Sequence, residues 1–206
     1  INRNLPFNNA VEALSLLEKA RRIDKKNVDA IALMANLLII EAQNRTGDYQ
    51  SKLSAADALL TEALIIQQSQ RNVLVRLDRC LLRRAQARYE EALGFCRTLV
   101  DDLYRRPLAY KEMGMDYLYL GKPDQAISAF TTAEHLVKRA GVHWTWLIGG
   151  GWAYLQVGNY AEAIEWLRRA LAQRTRTYSA RVWLIAAYAL SGREQDAATE
   201  LAELQR

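Results

Sequence analysis

Apolar and polar positions along the chain follow a helical beat, and the beat recurs. Six segments carry an alanine, a large apolar residue or cysteine four positions later, and an alanine or leucine three after that. The alanines are Ala13, Ala56, Ala92, Ala126, Ala163 and Ala197, separated by 43, 36, 34, 37 and 34 residues. Their partners four residues on are Leu17, Leu60, Cys96, Phe130, Leu167 and Leu201, and the third members are Ala20, Ala63, Leu99, Ala133, Ala170 and Leu204. This spacing places all three on one stripe of a helix, and the small members let a second helix approach closely. In the last three segments Tyr117, Tyr154 and Tyr188 lie nine residues before the alanine, and Gly121, Gly158 and Gly192 lie five before it. A glycine there ends a helix at positive φ without a Cβ clash. The next helix starts two or three residues later. Each unit is therefore predicted to be a helix, a tight turn and a second helix.

The pattern resembles the tetratricopeptide repeat, whose frame of about 34 residues holds two helices. The frame's eighth position is small, here Gly114 and Gly151 but Ile185 in the last unit. Its eleventh position is aromatic, its fifteenth glycine and its twentieth alanine. The resemblance covers essentially the whole chain and is strongest from Tyr110 onward. The third unit departs from it, with Arg83 in the aromatic place and Ala87 in the glycine place. The proline usual near a unit's end is missing; Lys138 and Thr175 stand there in two units. The resemblance implies an all-α, right-handed α-solenoid of about five and a half units, near eleven helices, with residues 1–206 a single domain. The first unit supplies only its second helix, about Asn8 to Arg22. With no starting Met, this predicts a fragment of a longer chain. The second unit has a first helix over about Val28 to Ala42, then a long turn, NRTGDYQSK, carrying Gly47, Asp48 and Tyr49. The segments EAIEWLRRA and LIAAYALSGR also resemble a bacterial tetratricopeptide tail. That tail follows class III adenylate or guanylate cyclase domains, or winged-helix transcriptional regulators.

Composition narrows the function. Half the residues are hydrophobic, a quarter are charged, and there are 3 Pro and 10 Gly, which excludes disordered, collagen-like and disulfide-miniprotein classes. The 28 basic and 23 acidic residues leave a net charge of +5, a small excess for a dedicated nucleic-acid binder. The longest apolar stretch, Ile31 to Ala35 and Leu37 to Ile40 interrupted by Asn36, is half of what a bilayer needs. Membrane insertion is not expected, and the N-terminus lacks a signal-peptide core. Two cysteines are too few for a disulfide framework. They are read as reduced thiols in a cytoplasmic chain. The repeat frame sets Cys80 and Cys96 facing each other inside a unit, as packed core residues or, alternatively, as a redox pair.

The candidate chemistry is thin. His135 and His143 have no cysteine nearby and fall short of the three or four ligands a metal site needs. Gly149-Gly150-Gly151 lies inside a predicted helix rather than after a strand, so local packing is expected in place of a phosphate cradle. Only Gly151, at the small position, has an evident packing reason. Nine arginines between Arg71 and Arg106 read as a solvated, salt-bridged face, or alternatively as a surface for an acidic partner or nucleic acid. No nucleophile, base and orienting group converge, so neither enzymatic activity nor a cofactor is expected.

The resemblance points to a binding face instead. In this family the first helix of each unit lines a concave groove. Carried over, the groove positions include Lys111, Met115, Tyr119, Trp152, Gln156 and Trp183. Trp144 and Trp146 could extend the patch. Some relatives clamp a peptide carboxylate with lysine and asparagine; here Lys111 is present but Met115 replaces the asparagine, so no clamp is expected. Tyr119, Trp152 and Trp183 are either rigid binding anchors or packing between units. Leu201 and Leu204 leave an apolar stripe on the last helix, where a second copy could associate. The expected function is a non-catalytic interaction scaffold taking a protein or peptide partner, not nucleic acid. It would be the tetratricopeptide region of a bacterial signalling protein, a nucleotide cyclase first and a winged-helix regulator second.

Overall fold

The structure is a computed structural model of the 206-residue chain, and it describes residues 7–44, 48–66, 72–137, 144–175 and 177–205, with side chains from residue 12. Eleven helices are found among them: α1 Phe7–Ile23, α2 Val28–Gln43, α3 Tyr49–Ile65, α4 Val73–Ala85, α5 Tyr89–Arg97, α6 Arg106–Tyr119, α7 Pro123–Leu136, α8 Trp144–Gln156, α9 Tyr160–Gln173, α10 Tyr178–Leu190 and α11 Glu194–Leu204. The described residues contain no strand. The all-α architecture of helical hairpins expected from the sequence is the one found. The Gly47, Arg71, Lys138 and His143 expectations fall outside the described residues.

The helices start where side chains can satisfy the first free amides. Asn27 accepts from Ala30 N, Asp48 from Gln50 N, Asn72 from Leu74 N and Val75 N, and Asn159 from Glu162 N. The Asp48 cap corrects one expectation. The stretched turn of the second unit ends at Asp48, so Tyr49, Gln50, Ser51 and Lys52 belong to α3 rather than to the turn.

Four of the hairpin turns share one geometry. In three of them Gly121, Gly158 and Gly192 adopt φ of 68°, 75° and 75°. Each glycine N–H reaches back to a carbonyl three residues earlier, and the following N–H reaches one five residues earlier. This is the Schellman closure of a helix end. The α4–α5 turn closes identically through Ala87, which is held at φ 58° although it is not glycine.

The helices gather into two compact units, residues 1–99 and 100–206. In the first, α2 pairs with α3 and α4 with α5, α4 also lies against α2 and α3, and α1 against α2. Its core is Ile31, Ala35, Ile39, Leu53, Leu60 and Val75 with their neighbours. In the second, α6–α7, α8–α9 and α10–α11 are hairpins that stack in order. The repeated alanine stripe is the buried seam of these hairpins. Ala126, Phe130 and Ala133 of α7 and Ala163, Leu167 and Ala170 of α9 are fully buried, each large member contributing roughly 1.5–3 kcal/mol. The seam opens at α11, where Ala197 is buried but Leu201 is 45% exposed.

Two sequence expectations are corrected by the packing. Gly149 and Gly150 do have packing reasons. A Cβ on Gly149 would lie 2.4 Å from the Phe130 ring, one on Gly150 2.2 Å from Trp166, and one on Gly151 2.6 Å from Leu167 Cγ. The three glycines let α8 seat against α7 on one side and α9 on the other. Phe130 also presses on Gly114 of α6, where a Cβ would stand 2.8 Å away. The second correction concerns the thiols: Cys80 of α4 and Cys96 of α5 are joined in a disulfide, not reduced.

Candidate partner-binding face

Three first-of-hairpin helices of the second unit, α6, α8 and α10, contribute the expected groove residues. α8 touches both α6 and α10, which brings one face of each together. Tyr119, at the end of α6, meets Trp152 of α8 edge-on, with ring centroids 5.8 Å apart and planes at 78°. Trp152 stacks on Trp183 of α10, with centroids 5.4 Å apart and planes within 9°. These are the two geometries aromatic rings favour. The three rings therefore form one continuous strip across three helices. Tyr119 is 45% exposed, and both tryptophans are half-buried. Gln156 and Leu190 stand exposed on α8 and α10.

The other two expected members sit differently. Met115 is half-buried and packs on the core cluster of the second unit. Lys111 is buried, and its ammonium lies 2.8 Å from the Glu112 carboxylate. Its placement as a groove-facing cation is therefore corrected: its charge is met inside the unit. A carboxylate clamp built on Lys111 would have to break that ion pair. Trp144 carries Arg174 over its ring face at 4.8 Å, and Trp146 packs against the core.

The arginine-rich stretch is only partly the solvated face expected. Arg79 and Arg83 of α4 are buried. Arg83 pairs with Asp57 of α3 at 2.8 Å and approaches Glu91 of α5 at 3.7 Å. Arg79 lies over the Phe95 ring at 5.7 Å and is 3.3 Å from the Thr61 hydroxyl. Burial and the neighbouring Arg83 lower its pKa. Asp57 is held below the ordinary carboxylate range, its partial burial outweighed by hydrogen bonding and attraction from Arg83. Arg88 is engaged by Glu91 at 2.6 Å. These guanidinium groups tie α4 to α3 and α5. His135, on α7, is exposed.

The first unit also holds a buried polar pair, one member of which, Asp78, stands at a groove position of the repeat frame. Asn36 of α2 donates a 2.6 Å hydrogen bond to Asp78 of α4, and both are buried. Burial pushes Asp78 up to about 7, against the lowering effect of that bond. The sequence signal for the pair is Asn36 itself, a lone amide inside the longest apolar run.

The tetratricopeptide repeat family matches residues 111–176 and 150–206. No curated protein matches the sequence. Among solved structures, PilF of Pseudomonas aeruginosa is similar at a TM-score of 0.72 and 20% identity, covering 97% of this chain and 84% of that one. BtubC of P. vanneervenii gives 0.71 at 18% identity, with 96% and 88% covered. A tetratricopeptide repeat protein from Parabacteroides merdae gives 0.66 at 21% identity, with 96% and 73% covered. Among the described residues no helix is long and apolar enough to cross a membrane. Residues 111–206 are built of tetratricopeptide repeats, and the chain as a whole has the fold of tetratricopeptide repeat proteins.

Proposed function

We propose that this chain is a non-catalytic interaction scaffold that holds a protein or peptide segment against the Tyr119–Trp152–Trp183 strip, with residues 1–206 serving as one binding module. The observation that carries this is the continuity of the three rings across α6, α8 and α10, with Tyr119 open to solvent. Rigid aromatic anchors of this kind dominate binding energies where they are contiguous. With Lys111 neutralised by Glu112, the strip favours apolar or aromatic side chains of the partner over its terminal carboxylate.

The test uses peptides selected on the wild-type chain from a random displayed library. Their affinity for Tyr119→Ala and Trp183→Ala chains should fall roughly 30-fold or more, the scale of an interface hot spot, while circular dichroism stays unchanged. Undiminished binding to both variants would overturn the groove reading.

The finer placement of this scaffold, behind a nucleotide cyclase domain or a winged-helix regulator, rests on the resemblance of EAIEWLRRA and LIAAYALSGR to such tails. Reading the gene upstream of Ile1 decides between them. Nucleotide cyclisation and transcription are cytosolic, and the Cys80–Cys96 disulfide weighs against both. The scaffold reading stands without either.

A further inference from the structure

The disulfide falls at a place that other hairpins fill by packing. Its two cysteines are separated by 16 residues. Gly114 and Phe130 have that same separation across α6–α7, and Gly151 and Leu167 have it across α8–α9. In both hairpins the large side chain of the second helix drops onto the bare backbone of the first, leaving no room for a Cβ. Cys80 and Cys96 are the corresponding pair in α4–α5. Their Cα atoms are 5.5 Å apart, and both residues are fully buried.

This hairpin also has a short second helix and an unfavourable turn. α5 has 9 residues, fewer than any other helix described. Its turn relies on Ala87 in the left-handed region, where the later hairpins use glycine. Arg83 stands where Tyr117, Tyr154 and Tyr188 stand in the later hairpins. A covalent link offsets such deficits by removing conformational freedom from the unfolded chain.

We propose that Cys80–Cys96 is a permanent structural cross-link, and that the chain accordingly folds and works in an oxidising compartment. Thiol–disulfide exchange with a disulfide-bearing oxidant protein would install it. One thiolate attacks the oxidant's disulfide to give a mixed disulfide, and the second displaces the oxidant's sulfur. The two thiols lose two electrons and two protons, and the oxidant's disulfide is reduced to a dithiol. Burial argues for permanence, because labile and regulatory disulfides are the exposed or strained ones. A reducing cytosol would keep such a pair as thiols. The cytoplasmic placement drawn from free thiols is thereby replaced.

The test expresses the full chain in one bacterial host, either retained in the cytosol or exported to the oxidising periplasm. Alkylation and intact-mass measurement should find no free thiol in the exported protein. Reductant should lower its Tm by roughly 5–10 °C, and the reduced cytosolic chain should accumulate several-fold less. The double variant Cys80→Gly, Cys96→Leu copies the α8–α9 contact, and its Tm should not respond to reductant. Free thiols in the exported chain would overturn the proposal. So would equal Tm and equal accumulation of the oxidised and reduced forms. A Tm shift on reduction that the double variant shares would overturn it as well, because the effect would not come from this bond. Should the double variant fail to fold, Cys80→Ser, Cys96→Ser takes its place in that comparison.

Discussion

Adding one methyl group at Gly149 sets two known effects against each other. In a helix interior, alanine is favoured over glycine by up to about 1 kcal/mol. Against this stands the Phe130 ring, whose atoms would lie 2.4 and 2.6 Å from the new Cβ. The ring has no room to retreat, because it is fully buried and already presses on Gly114 of α6. Overpacking of this kind costs about 1–3 kcal/mol. Taking the upper value for a trapped ring, Gly149→Ala should lose roughly 2 kcal/mol net. The assay is urea unfolding followed by tryptophan fluorescence. All five tryptophans lie beyond residue 143, so the signal reports the second unit alone. The midpoint should fall by roughly 1 M. Gly94→Ala is the control: that glycine is helical, exposed and has nothing within 4 Å of its would-be Cβ. It should gain up to about 1 kcal/mol, read by circular dichroism because it lies in the other unit. Phe130→Leu combined with Gly149→Ala should show a coupling of about 1 kcal/mol or more. A Gly149→Ala chain as stable as wild type would refute the argument that glycine is kept at this position to admit the Phe130 ring.

Ala87→Gly should stabilise the chain by about 1 kcal/mol, because it relieves a left-handed residue; thermal unfolding measures it. Asp78 makes stability depend on pH. The folded chain keeps a proton on it up to about pH 7, whereas the unfolded chain releases it near 3.8. Its contribution is therefore full below about pH 4 and is lost as pH rises to about 7, by at most roughly 4 kcal/mol. Urea midpoints across that range should show the decline, and Asp78→Asn should flatten it. Leu201→Lys, on the open stripe of α11, should leave the fold intact and abolish any self-association seen by sedimentation at high concentration.

Much of this molecule is legible in its sequence. Helices, turns and seams follow from local rules. The alanine stripe marks the faces that bury, and the three turn glycines mark where positive φ is needed. What escapes depends on partners distant in sequence. Gly150 is explained by Trp166, which lies on the next helix. No spacing rule states which aromatic presses on which glycine. The disulfide escapes because cysteine number is a poor guide to compartment, although the repeat frame already places the two cysteines face to face. Lys111 is an exception to that rule: position assigns it outward, yet it is buried and paired with the adjacent Glu112. The members of the aromatic strip can be named residue by residue, yet its continuity rests on the angles between three helices, which no single repeat encodes.

The near-parallel Trp152 and Trp183 indoles have an optical consequence. Two identical chromophores at 5.4 Å and 9° couple their excited states, and the in-plane angle between the two indoles sets the sign and size of the band this adds to the helical ultraviolet spectrum. Anything that slides α10 against α8, or inserts between the rings, changes that band in sign or size. The chain thus carries an intrinsic reporter of occupancy at its own candidate face, needing neither dye nor label.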